Sequence, residues 1–155
     1  MASSASSSTG TSPSVVMAVK YPYPSNVNVA NFVSIKLSHK NYLLWKTQML
    51  GLIESQDMMG FTEGQISIPT STIEIVENGE TRSIPNPEFL AWKKSDRLLR
   101  GWITGSLSEE VLGLVVGLQT SSEVWTALLK VSKPYVMNWQ PLGNLYQIRI
   151  KFIGS

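Results

Sequence analysis

The chain has 155 residues, of which 43% are hydrophobic and 15% charged, so its length and composition suit one domain with a packed core. It has no cysteine and a single histidine, His39, which excludes disulfides, thiolate nucleophiles, cysteine-containing zinc sites and paired-histidine metal sites. The net charge is only +2, but residues 1–53 carry four Lys and no acid, residues 54–123 eleven acids and five bases, and residues 124–155 four bases and no acid. This layout fits self-association between basic ends and an acidic middle, attraction of polyanions by the ends, or ordinary solvated surfaces.

Residues 1–25 are rich in Ser and Pro, which predicts a disordered N-terminal tail. The opening MASSASSSTGTSPS shares the Ser content and lack of acids of plastid transit peptides, but it has no Arg and no amphipathic repeat. No stretch approaches the run of about 18 apolar residues that a membrane helix needs, so we expect no membrane contact and a cytoplasmic protein. Order is expected to begin near Val27.

Residues 26–64 are expected to form the first structured segment. NFVSIKL, at 31–37, alternates apolar and polar side chains and fits either a short strand or an extended arm on the core. A helix is predicted from about Asn41 to Gln56, with Asn41 or Ser38 as its N-cap. On a helical wheel, the large apolar side chains fall on one narrow face, which is typical of core packing. They are Tyr42, Trp45, Met49, Leu52 and Ile53.

Residues 65–85 contain the pattern of a β-hairpin insert. In TIEIVENGETRSI, two alternating runs flank Asn78-Gly79, the dipeptide best able to take the positive φ angles of a type I′ turn. The predicted strands are Thr72–Glu77 and Glu80–Ile84. Their many polar side chains indicate a solvent-facing excursion.

Residues 86–130 are expected to be helical, and the first of these helices has strong start signals. Asn86 is placed as N-cap, Pro87 at the first helical position, and Glu88 where it complements the positive helix end. The apolar side chains of this helix gather on one face and predict a second core contribution. They are Phe89, Trp92, Leu99, Trp102 and Ile103.

The opposite face of the same helix carries the only concentrated basic surface in the sequence, formed by Lys93, Lys94, Arg97 and Arg100. Asp96 stands four residues before Arg100, the spacing of a helical ion pair. Two interpretations stay open. The stripe could contact the phosphates of a nucleic acid, or it could be an ordinary solvated helix back, because no exposed aromatic residues are interleaved with the cations.

Two short helices are predicted next. SLSEEVLGLVVG offers either Ser106 with Glu109 in capping-box spacing, or Ser108 as the cap, with Gly117 as the stop. TSSEVWTALLK repeats the capping box. Such short, capped connections are typical of antiparallel neighbouring helices. The second helix is expected to bury Val124, Trp125, Leu128 and Leu129.

Residues 131–155 change character after Pro134. Ile148, Ile150 and Phe152 alternate with polar side chains, which suits a strand with one apolar face and no evident partner. The chain contains no phosphate-binding glycine loop, no Gly-x-Ser-x-Gly elbow and no cluster of metal ligands. Glu109 and Glu110 are adjacent on a helix and point about 100° apart, which is poor geometry for shared acid–base work. We therefore expect no enzyme activity, no cofactor and no small-molecule substrate.

Four sequence blocks resemble one known family. NYLLWK, NPEF-x-x-W, SLSEEVL and SSEVWTALL occur in the order found in Copia-type LTR retrotransposon Gag polyproteins of plants. Residues 26–64 resemble the N-terminal domain of that family, and residues 86–130 resemble the Gag segment that follows it. The hairpin insert lies where the family varies, and the resemblance covers residues 26–130.

The resemblance implies a mainly α-helical, capsid-like domain that self-associates into particles around the RNA of the element. The implied partners are copies of the chain itself or related Gag chains, together with RNA at low affinity through the basic helix face. A binder of RNA without sequence preference and an inert remnant of an element are the alternatives. The aromatic side chains expected in the helical core are Tyr42, Trp45, Phe89, Trp92, Trp102 and Trp125.

The chain departs from the family after about residue 130. The family continues there into further basic helices and often into a Cys-Cys-His-Cys zinc knuckle, whereas residues 131–155 share neither pattern. A truncation is therefore expected. It would remove the C-terminal capsid lobe and the knuckle, and with them the basis for specific RNA packaging and closed-particle assembly.

Overall fold

The computed structural model describes residues 19–132 in full and, beyond them, the backbone of residues 135–142 and 145–152. Across these ranges the chain is mainly α-helical, as predicted, with two separate two-stranded antiparallel ribbons. None of the helices within these ranges is long and apolar enough to cross a membrane. The predicted disordered tail lies mostly in residues 1–18, outside the described part of the chain.

The predicted helices and strands occur in the expected order, with a short helix at Met59–Thr62 and a strand at Tyr135–Leu142 in addition. They are a 3₁₀ turn at Val29–Asn31, α1 (Tyr42–Ser55), α2 (Met59–Thr62), β1 (Thr72–Glu77), β2 (Glu80–Pro85), α3 (Pro87–Gly105), α4 (Glu109–Gly113), α5 (Ser121–Leu128), a 3₁₀ turn at Leu129–Ser132, β3 (Tyr135–Leu142) and β4 (Leu145–Phe152). The short helix α2 was not predicted from the sequence, since four residues are too few to show a helical period.

The buried face of α1 is the predicted one. Its buried side chains are Tyr42, Trp45, Met49, Leu52 and Ile53. Trp45 is fully buried, and its ring centroid lies 5.8 Å from that of Trp125 on α5. The aromatic stripe of this helix is therefore core packing, which draws α1 and α5 together.

The predicted capping role of Asn41 is wrong. Asn41 stands at the N-cap position, but its Oδ1 accepts from the N–H of Ser38 at 2.8 Å, and its Nδ2 donates to the carbonyl of Lys36 at 2.9 Å. Ser38 Oγ accepts from the N–H of Lys40 and does not reach α1 either. The backbone of Asn41 (φ −130°, ψ 23°) is not in the extended conformation that aims a capping side chain at the first turn. The side chain instead closes the turn that leads into the helix.

Residues 33–37 form an arm that joins no sheet, and Phe32 before them caps the 3₁₀ turn. Leu37 donates its N–H to the carbonyl of Ser106 at 2.8 Å, and its carbonyl accepts from the N–H of Ser108 at 2.9 Å. These two bonds make one isolated parallel bridge to Leu107. Val33 and Leu37 are buried, so the alternation in NFVSIKL reflects an arm that lays its apolar side chains on the core.

The lead-in, residues 20–25, packs against the helical body, although the sequence placed it in the tail. The ring of Tyr21 meets that of Phe61 edge-on, with centroids 6.4 Å apart. The carbonyl of Tyr21 accepts from Ser95 Oγ at 3.3 Å, and Lys20 forms an ion pair with Glu88. Packing thus begins before Val27. Prolines restrict the unfolded lead-in, which lowers the entropy lost when this segment docks on the helices.

The hairpin forms with the predicted register. Glu77 pairs with Glu80 at the tip and Thr72 with Pro85 at the base, so β2 is one residue longer than expected. Asn78 and Gly79 have φ angles of 55° and 82°, the two positive values that a type I′ turn requires. Most side chains of both strands are exposed.

The N-termini of the later helices are capped largely as predicted. Asn86 Oδ1 accepts from an N–H of the first turn of α3, and the complete capping box of Thr120 and Glu123 opens α5. The cap of α4 is Ser108, which accepts from the third residue of the helix. Ser106 instead terminates α3, where its hydroxyl donates to the carbonyl of Ile103 at 2.7 Å. Each helix end thereby satisfies backbone groups that a helix leaves unpaired.

One cluster of buried side chains joins the arm, α1, α3, α4 and α5. Of the aromatic residues expected there, Tyr42, Trp45, Trp92, Trp102 and Trp125 are buried, and Phe89 is half-buried against the cluster. Phe89 lies near the exposed start of α3, where it stacks on Trp92 with ring centroids 5.9 Å apart.

The predicted burial of Leu129 is wrong. Its side chain is 41% exposed, whereas Val131 is buried. The cause is a change of period, because α5 ends at Leu128 and the chain continues as a 3₁₀ turn with three residues per turn. The inward position therefore shifts from Leu129 to Val131.

The C-terminal strand has a partner, contrary to prediction. β4 pairs in antiparallel register with β3, with Tyr135 opposite Phe152 and Leu142 opposite Leu145. Pro141 lies within β3, which obscured the strand in the sequence because proline usually interrupts a ladder. The predicted apolar face of β4 concerns side chains outside the described part of the structure.

Candidate functional site

Three of the four predicted basic residues meet at an open groove on α3. The groove has a volume of about 410 Å³. Its lining residues are Tyr23, Leu90, Lys93, Lys94, Arg97 and Leu98. We call this feature the α3 groove. It joins one helix face to the lead-in, a segment more than sixty residues away in sequence.

Arg100 is not part of this groove. Its Nη1 donates to the carbonyls of Leu118 at 3.2 Å and Gln119 at 2.7 Å, in the loop before α5. The predicted ion pair between Arg100 and Asp96 is wrong, because each side chain has backbone or hydroxyl partners on the α5 side. Arg100 therefore ties α3 to the α5 loop and has fewer donors left for a ligand.

Asp96 turns into the protein and leaves the basic face. It is 4% exposed, and its Oδ1 accepts from the N–H of Ser121 at 3.1 Å and from the hydroxyl of Ser121 at 2.5 Å. The negative charge of Asp96 thus sits at the positive end of α5, where helix dipole and hydrogen bonds both favour it. The outer face of α3 is left more positive than its sequence indicates.

Tyr23 supplies the aromatic side chain that the basic stripe lacks in sequence. It is 43% exposed, and the ammonium of Lys94 lies 4.2 Å from its ring centroid. The ammonium of Lys93 lies 5.5 Å from the ring of Phe89. Cations this close to ring faces are held by cation–π attraction. Sequence analysis missed Tyr23 because residues 1–25 were assigned to the tail and its partner is on α3, a distant segment.

Few acids offset the charge of the α3 groove. Glu88, at the start of α3, pairs with Lys20, and this hydrogen bond raises the pKa of the Lys20 ammonium above its ordinary value. Within residues 19–132 the ion pairs are Lys20–Glu88, His39–Glu110 and Arg82–Glu77. Lys93, Lys94 and Arg97 are in none of them, so the groove carries an uncompensated positive potential.

The lining of the groove suits a binding surface. It combines cations, an exposed phenol ring and the leucines at 90 and 98. Among the described residues, no three His, Asp or Glu side chains are grouped to hold a metal ion. An anionic ligand with an apolar or aromatic part matches this lining best.

A second exposed feature lies on the outer face of α1. Leu43 and Leu44 are 74% and 67% exposed, next to the buried Tyr42 and Trp45. Adjacent helical residues point about 100° apart, so the two leucines cover a broad surface rather than a line. We call them the α1 leucine pair.

Comparison with known proteins identifies relatives for about two thirds of the chain. Over 108 residues the chain is 32% identical to the Retrovirus-related Pol polyproteins from transposons RE2 and RE1, both of Arabidopsis thaliana. The alignment covers 68% of this chain and 7% of each relative, so the chain spans a small part of the curated relatives it matches. Neither a family model nor a solved structure matches the chain. The chain is therefore homologous to a segment of plant retrotransposon Pol polyproteins and has a retrotransposon origin.

Proposed function

We propose that the chain is a Gag-type structural segment of a Copia-type LTR retrotransposon, without catalytic activity, that associates with copies of itself or with related Gag chains in the cytoplasm. The retrotransposon origin and the four sequence blocks support the Gag assignment. The α1 leucine pair is the proposed contact surface, because it exposes two large apolar side chains next to the buried Tyr42 and Trp45 of α1. Burying them between copies would remove apolar surface from water.

The test is the solution mass of the full chain, freed of nucleic acid, measured by light scattering over a range of concentrations. We expect oligomers that persist in high salt, because apolar contacts are not screened by ions. The double substitution Leu43→Ser, Leu44→Ser should lower the high-salt mass to that of the monomer. Ile68→Ser, which removes an apolar side chain that is 57% exposed in a loop, is the matched control and should leave the mass unchanged. A wild-type monomer at every concentration would contradict the proposal.

The second candidate function is binding of single-stranded RNA in the α3 groove. The contact between Tyr23 and Lys94 favours it, since single-stranded nucleic acids bind where exposed aromatic rings meet cations. A groove that uses three cations should give a log–log salt slope of roughly −2, at about 0.7 per phosphate contact.

This candidate is tested by fluorescence anisotropy with a short RNA. Lys93→Glu with Arg97→Glu should abolish binding. Tyr23→Ala should weaken it by about 1–3 kcal/mol if a base stacks on the ring, and Tyr23→Phe should preserve it. Affinity that is unaffected by these changes would place any RNA contact elsewhere. A chain that neither oligomerises nor binds RNA would support the inert-remnant alternative.

A further inference from the structure

The hairpin formed by β1 and β2 has the chemistry of a ligand for the α3 groove. It carries three acids, Glu74, Glu77 and Glu80, against one base, Arg82. Most of its side chains are exposed, and Val76, next to the tip, is 74% exposed. A two-stranded ribbon with no cover is only marginally stable in water, so a partner surface would stabilise it.

The two surfaces match in both charge and polarity. Glu74 and Val76 are two residues apart in β1 and share one face of the ribbon, whereas Glu77 and Glu80 pair on the other face beside the turn, so the tip carries acids on both faces. The α3 groove offers cations at Lys93 and Arg97, and Leu90 there is 54% exposed. The hairpin thus exposes acidic and apolar groups, and the groove exposes basic and apolar groups. Potentials of opposite sign also steer such surfaces together.

The hairpin tip and the α3 groove are formed by different segments of the chain. β2 ends at Pro85 and α3 begins at Pro87, so the base of the hairpin adjoins the start of α3. Six strand residues extend the tip about 20 Å beyond this base. Within the copy, Glu77 pairs with Arg82 of the same hairpin and not with a cation of α3. Contacts between different surfaces of identical chains are head-to-tail and propagate into rings or filaments.

We propose that the acidic hairpin tip of one copy docks in the α3 groove of a second copy. This inference rests on the proposed self-association and names a contact additional to the α1 leucine pair. The contact is electrostatic, so it should strengthen at low ionic strength and weaken as salt screens it. It would make the solution mass of the full chain larger in low salt than in high salt.

A charge-swap experiment on the full chain tests the contact. Variant H carries Glu74→Lys and Glu80→Lys in the hairpin, and variant G carries Lys93→Glu and Arg97→Glu in the groove. Each variant alone presents like charges at the contact, so we expect the low-salt increase in mass to disappear from both. An equimolar mixture restores opposite charges at every H–G contact, and the low-salt increase should return. Recovery also shows that both variants are folded.

The matched control changes the same charge elsewhere. Glu54→Lys with Glu63→Lys repeats the charge change of variant H at two exposed sites outside the hairpin and should keep the low-salt increase. A low-salt increase that survives in H or in G, or a mixture that stays like its components, would overturn the hairpin contact. The proposed self-association would still stand in that case, because it is judged by the high-salt mass. If G loses binding to a short RNA while its low-salt mass equals that of the wild type, the groove is an RNA site and the hairpin contact is refuted.

Discussion

Asp96, in the middle of α3, accepts two hydrogen bonds from Ser121, the first residue of α5. The residues are 25 positions apart, and both side chains are buried. A carboxylate on one helix thus serves as an acceptor at the N-terminus of another, in addition to the local cap by Thr120. This arrangement fixes where α5 begins along α3, and its energy can be measured.

Removing this carboxylate should cost more than an average point mutation. Asp96→Ala leaves the buried N–H and hydroxyl of Ser121 without an acceptor, so we expect the free energy of unfolding to fall by about 2–4 kcal/mol. Asp96→Asn keeps a neutral acceptor of the same shape and should lose only about half as much. Urea denaturation followed by circular dichroism measures both. Equal losses for the two variants would mean that hydrogen bonding to Oδ1 does not account for the stability.

The buried indole of Trp45 depends on a single hydroxyl. Its Nε1–H donates to Ser106 Oγ at 2.9 Å, and that hydroxyl donates in turn to the carbonyl of Ile103. Ser106→Ala should reduce the free energy of unfolding by about 1–3 kcal/mol, because the indole N–H stays buried without a partner. In a double-mutant cycle with Trp45→Phe, which has no donor, the loss due to Ser106→Ala should shrink. Additive losses would contradict the coupling.

Two glycines should respond in opposite directions to alanine. Gly51 lies inside α1, and an added Cβ there has nothing within 4 Å, so Gly51→Ala should stabilise the protein by about 0.5–1 kcal/mol. Gly79 has a φ of +82° in the hairpin turn, where an L side chain is strained. Gly79→Ala should therefore destabilise the hairpin by about 1 kcal/mol or more. Thermal unfolding tests the first change, and amide exchange in β1 and β2 tests the second.

Stability should decline at alkaline pH through Tyr42. Burial raises the pKa of the Tyr42 phenol above its ordinary value of 10.0, because the folded protein disfavours the phenolate. The unfolded chain then loses this proton first as pH rises. The contribution of the Tyr42 phenol to the free energy of unfolding is complete below the unfolded pKa near 10.0, and it is lost as the pH rises through the higher folded pKa.

Tyr42→Phe should therefore flatten the fall in unfolding free energy above about pH 10, measured by urea denaturation at successive pH values. Part of the alkaline loss should remain in the variant. The raised pKa of Lys20, caused by its hydrogen bond to Glu88, acts in the same direction. An unchanged slope in the variant would exclude Tyr42 as a source of the alkaline loss.

Local patterns were sufficient to predict most of the helices and the hairpin. The periodicity of α1 identified its buried face, and Asn78-Gly79 identified the turn, because both signals involve residues a few positions apart. The capping box of Thr120 and Glu123 belongs to the same class. Such features depend on the backbone geometry and the apolar periodicity of a single short segment.

The candidate site could be predicted only in part. Lys93, Lys94 and Arg97 were placed on one face by helical spacing alone. Tyr23 comes from a distant segment, so its place beside Lys94 depends on tertiary packing. Asp96 was assigned to an ion pair with Arg100 because helical spacing identifies only partners on the same helix. In the folded chain, the carboxylate of Asp96 instead accepts hydrogen bonds from the buried donors at the start of α5.

The docking of the lead-in on α3 constrains the order in which the new chain can fold. Lys20 and Glu88 are 68 positions apart, and Ser95, which donates to the carbonyl of Tyr21, is 74 positions later in the chain. At roughly 5–20 residues per second, a ribosome needs several seconds to synthesise this interval. During that time α1 can form and Tyr21 can meet Phe61, but the bonds of the lead-in to α3, and of Leu37 to the residues after α3, cannot form. The N-terminal segment of the nascent chain therefore stays only partly docked until α3 emerges, which is the period when a chaperone or a neighbouring nascent chain can capture it.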